Sequence, residues 1–387
     1  MNVKTKNKNE CSGCTACSMV CPHKAITMVP DRLGFKYPDV DSIKCTDCGL
    51  CLKICPFSEH YKTEGILDKP IIFGARANDE QLLAASQSGG AANAISTSFI
   101  NNGGIVYGVC FDDRFHVIHD RVARLDELSR LRGSKYVQSD LRDTFLRIKV
   151  DLEHGNKVLF IGTACQVAGL NAYIPQKEKK GLYTIDILCH ASPSPALWES
   201  YLKYVESKTK SKILSVNMRD KSFGWRSFQE TYQLSNGQKI KRESYISLFF
   251  SHLSIRKSCE QCPFTNHKRV GDITVSDFWG WSQYHKEWND NKGVSMIMIN
   301  YVKGQILFNS IKEKILFKES DENEIDTLQP QLSKPSRPNP LRDQFEDDFY
   351  KKGYQYISKK YGDENWKERI KKFIRPIYIL IKKTIFI

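Results

Sequence analysis

The chain has 387 residues, 41% of them hydrophobic and 26% charged, which suffices for two or three folded domains and excludes wholesale disorder. Its 58 Lys and Arg against 44 Asp and Glu give a formal charge of +14, yet acids such as Asp126, Glu127, Asp140 and Asp143 interrupt any contiguous basic face, so nucleic acid is an unfavoured partner. The N-terminus MNVKTKNKNE has no apolar run of the signal-peptide kind, and no stretch reaches the roughly 18 apolar residues of a spanning helix, so neither secretion nor membrane spanning is encoded.

Residues 1–60 form the first unit. It contains CSGCTACSMVCP at 11–22 and CTDCGLCLKICP at 45–56, two copies of C-x2-C-x2-C-x3-C-P. This is the spacing of bacterial two-cluster ferredoxins. Three cysteines three residues apart wrap one face of a cuboidal [4Fe–4S] cluster, and the fourth, followed by Pro, is carried to the other cluster. The spacing therefore assigns Cys11, Cys14, Cys17 and Cys55 to one cluster and Cys45, Cys48, Cys51 and Cys21 to the other. Structural zinc uses separated C-x2-C knuckles, which fits the repeated four-cysteine pattern less well. Each cluster, a core of charge about +2 on about four thiolates, adds roughly −2 and removes part of the formal excess. The thiolates require a reducing compartment, and the expected location is the cytoplasm. Between the copies, AITMVPDRLGFKYPDV (25–40) predicts two short strands around the Asp31–Gly34 turn.

From residue 71 strands and helices alternate. IIFGARA (71–77) reads as a strand, SGGAANAISTSFINNGG (88–104) as a helix with a glycine stop, and IVYGVCF (105–111) as another strand. KVLFIG (157–162) and LYTIDIL (182–188) are apolar runs, each followed by a turn and a helix-like segment. The expected fold is an α/β catalytic domain over 71–329 with a largely parallel sheet, preceded by an α+β dicluster ferredoxin domain. Pro330, Pro335, Pro338 and Pro340 mark a domain end, leaving 330–387 as a Pro-rich linker and a basic, hydrophobic tail. In that tail Lys371, Lys372, Arg375, Lys382 and Lys383 lie among Ile, Phe and Tyr, a composition suited to peripheral contact with an anionic membrane surface or to docking on another protein.

Five further cysteines lie outside the first unit. Cys165 and Cys189 each follow a predicted strand, and residues just past neighbouring parallel strands can meet at one rim. Cys259 and Cys262 add a C-x2-C knuckle in SCEQCPF. Together these four could hold a third cluster; the alternative is two buried cysteines and a loop knuckle. Cys110, inside IVYGVCF, reads as core.

A relay of clusters needs a terminus, and the small-residue turns suggest a flavin. Ser88, Gly89 and Gly90 open a predicted helix with free backbone N–H groups, Arg132 and Lys135 offer charge to a pyrophosphate, and Gly162 and Thr163 form a turn that a ligand can approach closely. No G-x-G-x-x-G fingerprint accompanies them. His190 is a candidate proton donor or a partner of a cluster sulfur, and Lys221 a candidate in the substrate pocket beside Trp225. Asp272 and Asp277 read as structural.

In order along the chain, SQSGGAANAI, GGIVYG, GSKYVQS, FIGTACQVAGL, ILCHASPSPALWESYL, MRDKSFGW, SCEQCPF and DITVSDFWG resemble the coenzyme F-420 hydrogenase/dehydrogenase beta-subunit family, over roughly residues 10–300. The resemblance implies an iron–sulfur oxidoreductase containing FAD, with a third [4Fe–4S] cluster on Cys165, Cys189, Cys259 and Cys262. Electrons would enter from a ferredoxin or similar redox protein, and a hydride would pass to or from an organic small molecule. The family's relatives include chlorophyll-derivative reductases and proteins associated with polysaccharide biosynthesis, so a deazaflavin substrate does not follow from membership. One departure is Ala164, where the family's G-T-P-C turn has Pro. The alternative function is a non-catalytic electron-transfer subunit of a larger redox complex, and a homo-oligomer is compatible with either reading.

Overall fold

The computed structural model describes residues 2–59, 61–63, 65–362 and 364. The basic tail at 371–387 lies outside the described residues. In the N-terminal module, β1 (Ile26–Pro30) and β2 (Lys36–Val40) pair antiparallel. Asp31 closes their turn, its Oδ1 accepting from the N–H groups of Leu33 and Phe35 at 3.0 Å. Each cysteine-rich copy contains a short helix, Ala16–Val20 or Leu50–Lys53, entered through a left-handed residue, Thr15 or Gly49.

The module is docked on the remainder of the chain. Gly34 is in the left-handed region, and a Cβ there would lie 2.8 Å from the backbone N of Ala196. Ala196 N–H donates to Leu33 O at 3.1 Å and Ser194 Oγ to the same carbonyl at 2.6 Å. Leu33 and Phe35 are buried with Trp198 and Tyr201 in one core. Cys14 and Ala16 are buried with Phe145, Val167 and Phe264 in another. Hydrophobic burial thus runs through the boundary expected at residue 60.

The main sheet has eight strands: β3 (Ile71–Ala77), β4 (Ile105–Phe111), β5 (Val117–Val122), β6 (Val158–Thr163), β7 (Leu182–Ile187), β11 (Ile273–Asp277), β12 (Ser295–Ile299) and β13 (Ile315–Ser320). The intervening β8 (Ile213–Asn217), β9 (Glu230–Leu234) and β10 (Lys239–Arg242) form a separate antiparallel sheet. The order in the main sheet is β13-β3-β12-β11-β7-β6-β4-β5. β4, β6, β7 and β11 are hydrogen-bonded to one another in parallel, whereas β5, β12, β3 and β13 make antiparallel pairs throughout. The expectation of a largely parallel sheet is therefore corrected to a mixed one. The physical cause is the connections: β4 returns as β5 through residues 112–116, and β11 as β12 through residues 278–294, whereas parallel neighbours need a crossover.

Both faces of the sheet are covered, and strand alternation sorts the side chains. Ile105 and Tyr107 face the helices Thr144–Glu153 and Ala164–Tyr173, whereas Val106 faces Ala91–Asn101 and Val302–Asn309. The stretch expected as a linker also folds back. Phe345, Phe349, Tyr354 and Ile357 of the helix Arg342–Lys360 are buried against the helix Pro195–Thr209, so 342–360 is part of the core, held there by apolar burial. That helix is kinked at Gly353, whose φ is 71°.

Candidate functional site

The cysteines sort into sets around the junction of module and sheet. Cys14 lies within electrostatic reach of Cys55, Cys11 and Cys165, and Cys17 within reach of Cys14, Cys11, Cys55 and Cys51. The first of the two sets expected from spacing therefore shares one locus. In the other, buried Cys51 packs with Cys21 and Cys45, while Cys48 is exposed. Asn2 Nδ2 donates to Cys45 Sγ at 3.5 Å, and the Ala25 N–H to Cys21 Sγ at 3.4 Å.

Cys165 sits in the first turn of the helix Ala164–Tyr173, directly after β6, and Cys189 follows β7. Cys259 lies in the 3-10 turn Lys257–Gln261 and Cys262 caps it. Cys189 is close to Cys259, Cys165 and Cys262, so the fold brings together four residues that are up to 97 positions apart (262 minus 165). The Ser192 N–H donates to Cys259 Sγ at 3.3 Å, and Thr163 Oγ1 is 3.2 Å from Cys165 Sγ.

Burial dominates the chemistry of these thiols. It pushes Cys14 and Cys262 up to about 12 and Cys259 to about 11, and raises Cys17 and Cys189 well above the ordinary thiol value, with neighbouring cysteines adding to the rise. Thiolates crowded in this way need cationic metal to ionise, and a coordinating metal deprotonates a thiol outright. The donor set fits iron–sulfur chemistry: all sulfur, four per site, and hydrogen-bonded by backbone and side-chain N–H. Among the described residues no three His, Cys, Asp or Glu side chains are grouped as ligands of a single metal ion.

Beside Cys189 a cavity of about 440 Å³ opens at the carboxyl ends of the parallel strands. Ser88, Gly90, Arg132, Lys135, Gly162, Thr163 and His190 all line it. Gly89 does not; it serves packing, since a Cβ there would lie 2.1 Å from Ala75 O and 2.6 Å from Ser295 N. The helix Ala91–Asn101 directs its N-terminus at this space, and Phe228, Phe249, Phe250 and Trp279 form an aromatic wall. Behind that wall Asp277, which also borders the cavity, accepts from Arg219 Nη1 at 2.6 Å and Trp225 Nε1 at 2.5 Å. The lining contains a donor, Gln87 Nε2, and an acceptor, Asn93 Oδ1, that are buried without a partner among the described residues. Sequence reasoning did not single out either residue, although Gln87 lies within the SQSGG turn. The unpaired donor and the helix N-terminus suit an anionic group, and the unpaired acceptor suits a hydroxyl or N–H of the same ligand.

Lys221 lies elsewhere. It borders an adjoining cavity of about 760 Å³, and its Nζ donates to Leu83 O at 2.6 Å and Ser88 O at 2.7 Å. Its ammonium thus clamps the turn that precedes the helix Ala91–Asn101. His190 is in the main cavity but engaged at both nitrogens. Gln331 Nε2 is 3.2 Å from its Nδ1, His252 Nε2 is 2.7 Å from its Nε2, and His252 Nδ1 is 3.0 Å from Arg337 O. With the amide donating, a single direction of donation satisfies this chain with both imidazoles neutral. Burial, followed by the charge of His252, lowers His190 to about 4, which agrees with the neutral form.

The sulfur sets and the fold define an iron–sulfur redox protein with an α/β core. Comparison places it further. Residues 10–58 match the 4Fe-4S dicluster domain, and residues 155–325 match the family described as the C terminus of the coenzyme F420 hydrogenase/dehydrogenase beta subunit. The chain is 25% identical over 223 residues to the F subunit of the F(420)H(2) dehydrogenase of Methanosarcina mazei, covering 54% of this chain and 60% of that relative. It thus spans less than two thirds of that relative's length. A protein from the F420-reducing [NiFe] hydrogenase complex of Methanosarcina barkeri superposes with a TM-score of 0.47 at 15% identity, covering 72% of this chain and 99% of that one.

Proposed function

We propose that this protein is an FAD-dependent iron–sulfur oxidoreductase that moves electrons between a ferredoxin-like donor and an organic substrate. Three [4Fe–4S] clusters would be held by Cys11, Cys14, Cys17 and Cys55; by Cys21, Cys45, Cys48 and Cys51; and by Cys165, Cys189, Cys259 and Cys262. The observation that carries this reading is continuity. Exposed Cys48 offers entry, Cys17 neighbours Cys51, Cys14 neighbours Cys165, and Cys189 belongs both to the last sulfur set and to the cavity wall.

The unpaired Gln87 Nε2 and Asn93 Oδ1, the helix N-terminus after Gly90, and Lys135 suit the pyrophosphate and adjoining polar groups of FAD. When bound there, FAD supplies the exchange between single electrons and a hydride. Phe228, Phe249, Phe250 and Trp279 exclude water from the space beside it. Neutral His190 is held in place by Gln331 and His252 and contributes shape and polarity without charge. Lys221 acts as a positioning residue through Ser88 O. The need to keep twelve thiolates reduced supports a cytoplasmic location.

The second reading is an electron-transfer component of a larger complex, favoured by the match to a protein named as a subunit. Iron, acid-labile sulfide and flavin per chain after anaerobic purification separate the two. About twelve irons and about one FAD are expected, on roughly four irons per four-cysteine site. About eight irons with no flavin, even after reconstitution, overturns the third site and the flavin, and the electron-transfer reading takes their place.

A further inference from the structure

Two buried arginines flank the set of Cys165, Cys189, Cys259 and Cys262, and they are neutralised differently. Arg269 is 2% exposed, and its Nη2 meets Asp186 Oδ1 at 2.9 Å. Arg256 is 1% exposed, but no carboxylate among the described residues pairs with it. Its Nε donates to Cys11 O at 2.6 Å, Nη1 to Gln138 Oε1 at 3.0 Å and Nη2 to Lys36 O at 2.9 Å; Nη2 also lies 3.6 Å from Cys11 Sγ. The guanidinium carbon stands 4.1 Å from the centroid of the Tyr37 ring. Apart from the sulfur, these are neutral dipoles and a π face. A buried cation so surrounded is strongly disfavoured unless an anion stands nearby.

The anions available are the sulfur sets. Cys11 belongs to one, and the Arg256 charge acts on both Cys165 and Cys259 of the other. Gly13 is shaped for this approach: a Cβ there would lie 2.7 Å from Arg256 Nη1.

We propose that Arg256 is the shared counter-cation of two iron–sulfur clusters, one on Cys11, Cys14, Cys17 and Cys55 and the other on Cys165, Cys189, Cys259 and Cys262. Its positive charge favours the reduced, more negative state of each and so raises both potentials, while its fork locks the module to the core. The proposal rests on the cluster reading above.

The test is a potentiometric titration, read by electron paramagnetic resonance, of the anaerobically purified full chain and its Arg256→Gln and Arg256→Lys variants. Arg256→Gln is expected to lower the reduction constants of the two flanking clusters at least tenfold, 59 mV for a one-electron couple. The cluster on Cys21, Cys45, Cys48 and Cys51 should stay unchanged, and Arg256→Lys, which retains the charge, should keep all potentials within that margin. Full iron content in Arg256→Gln with unshifted potentials, or an equal shift in all three clusters, overturns the proposal. Should Arg256→Gln lose iron, Arg256→Lys decides: retained potentials support the charge role, and a matching loss of iron overturns it in favour of packing alone. A wild-type content of about eight irons would instead overturn the underlying cluster reading.

Discussion

Gly169 lies directly against Cys14: a Cβ on Gly169 would stand 2.9 Å from both Cβ and Sγ of that cysteine. The contact joins the helix Ala164–Tyr173, which carries Cys165, to the first cysteine loop. Alanine in mid-helix gains roughly 0.8–1 kcal/mol of propensity over glycine, but overpacking a close core contact costs about 1–3 kcal/mol. The clash falls on a buried cysteine with little room to move. Gly169→Ala is therefore expected to lower the melting temperature and to remove about four irons per chain, one cluster's worth. Unchanged iron content and melting would contradict this placement of Cys14.

Asp186 holds the other arginine. It is fully buried, pairs with Arg269, and accepts from the N–H groups of Val270 and Gly271 at 3.2 and 3.0 Å. Asp186→Asn keeps the shape but strands a buried guanidinium, a loss of about 3–5 kcal/mol. Urea unfolding should show that loss, and the double variant Asp186→Asn with Arg269→Met should recover a large part of it. A double variant no more stable than the single one would show that Asp186 acts mainly through its backbone partners.

With FAD bound as proposed, Lys135 would connect flavin binding to pH. Burial lowers its ammonium from 10.5 to about 8, against a smaller opposing effect of Cys110. A pyrophosphate beside it favours the charged form and raises its proton affinity. The bound state then holds more protons than the free one above pH 8, so affinity falls as pH rises through that value. FAD titrations from pH 7 to 10 are expected to weaken by up to about tenfold per pH unit above 8 in the wild type. Lys135→Met should bind more weakly at pH 7 and lack that slope. A wild-type slope retained in the variant would assign the titration to another group.

Ala164 is the first residue of its helix and follows Thr163 at φ −71° and ψ 157°. The first helical N–H has no intrahelical acceptor, and an extended preceding residue is what proline requires. Ala164→Pro is therefore expected to stabilise the chain by roughly 0.4–1 kcal/mol through the unfolded state, with iron content unchanged. Thermal melting checks it, and a drop in stability would show that the turn before Cys165 cannot accept the ring.

The local chemistry was legible in the sequence because it is written in short range. A cysteine loop that wraps a cluster corner needs residues three apart, and the strands from Ile71 to Ala77 and from Ile105 to Phe111 follow from continuous apolar runs. The small-residue turn at Ser88–Gly90 was readable for the same reason, since left-handed or close-packed backbone limits the residues it can use; Gly162 and Thr163, expected as a turn, are instead the last residues of β6, which runs directly into the helix Ala164–Tyr173. Strand direction was not readable: an apolar run such as that of β12 or β3 has the same composition whichever way it runs, and only the connections decide. Nor could spacing tell that the Lys221 ammonium is taken by two carbonyls, or that Gln87 and Asn93, which line the cavity, each bury a polar atom with no partner among the described residues.

The sequence by itself determined that this protein is built around sulfur ligands in repeated loops joined to an α/β core, because ligand spacing and hydrophobic period act over a few residues. The tertiary structure alone decided which charges meet. Arg256 reaches Cys11 across 245 positions, and Asp186 reaches Arg269 across 83. A buried charge selects its partner by distance in a low-dielectric interior, and distance there is set by packing, which no local pattern records.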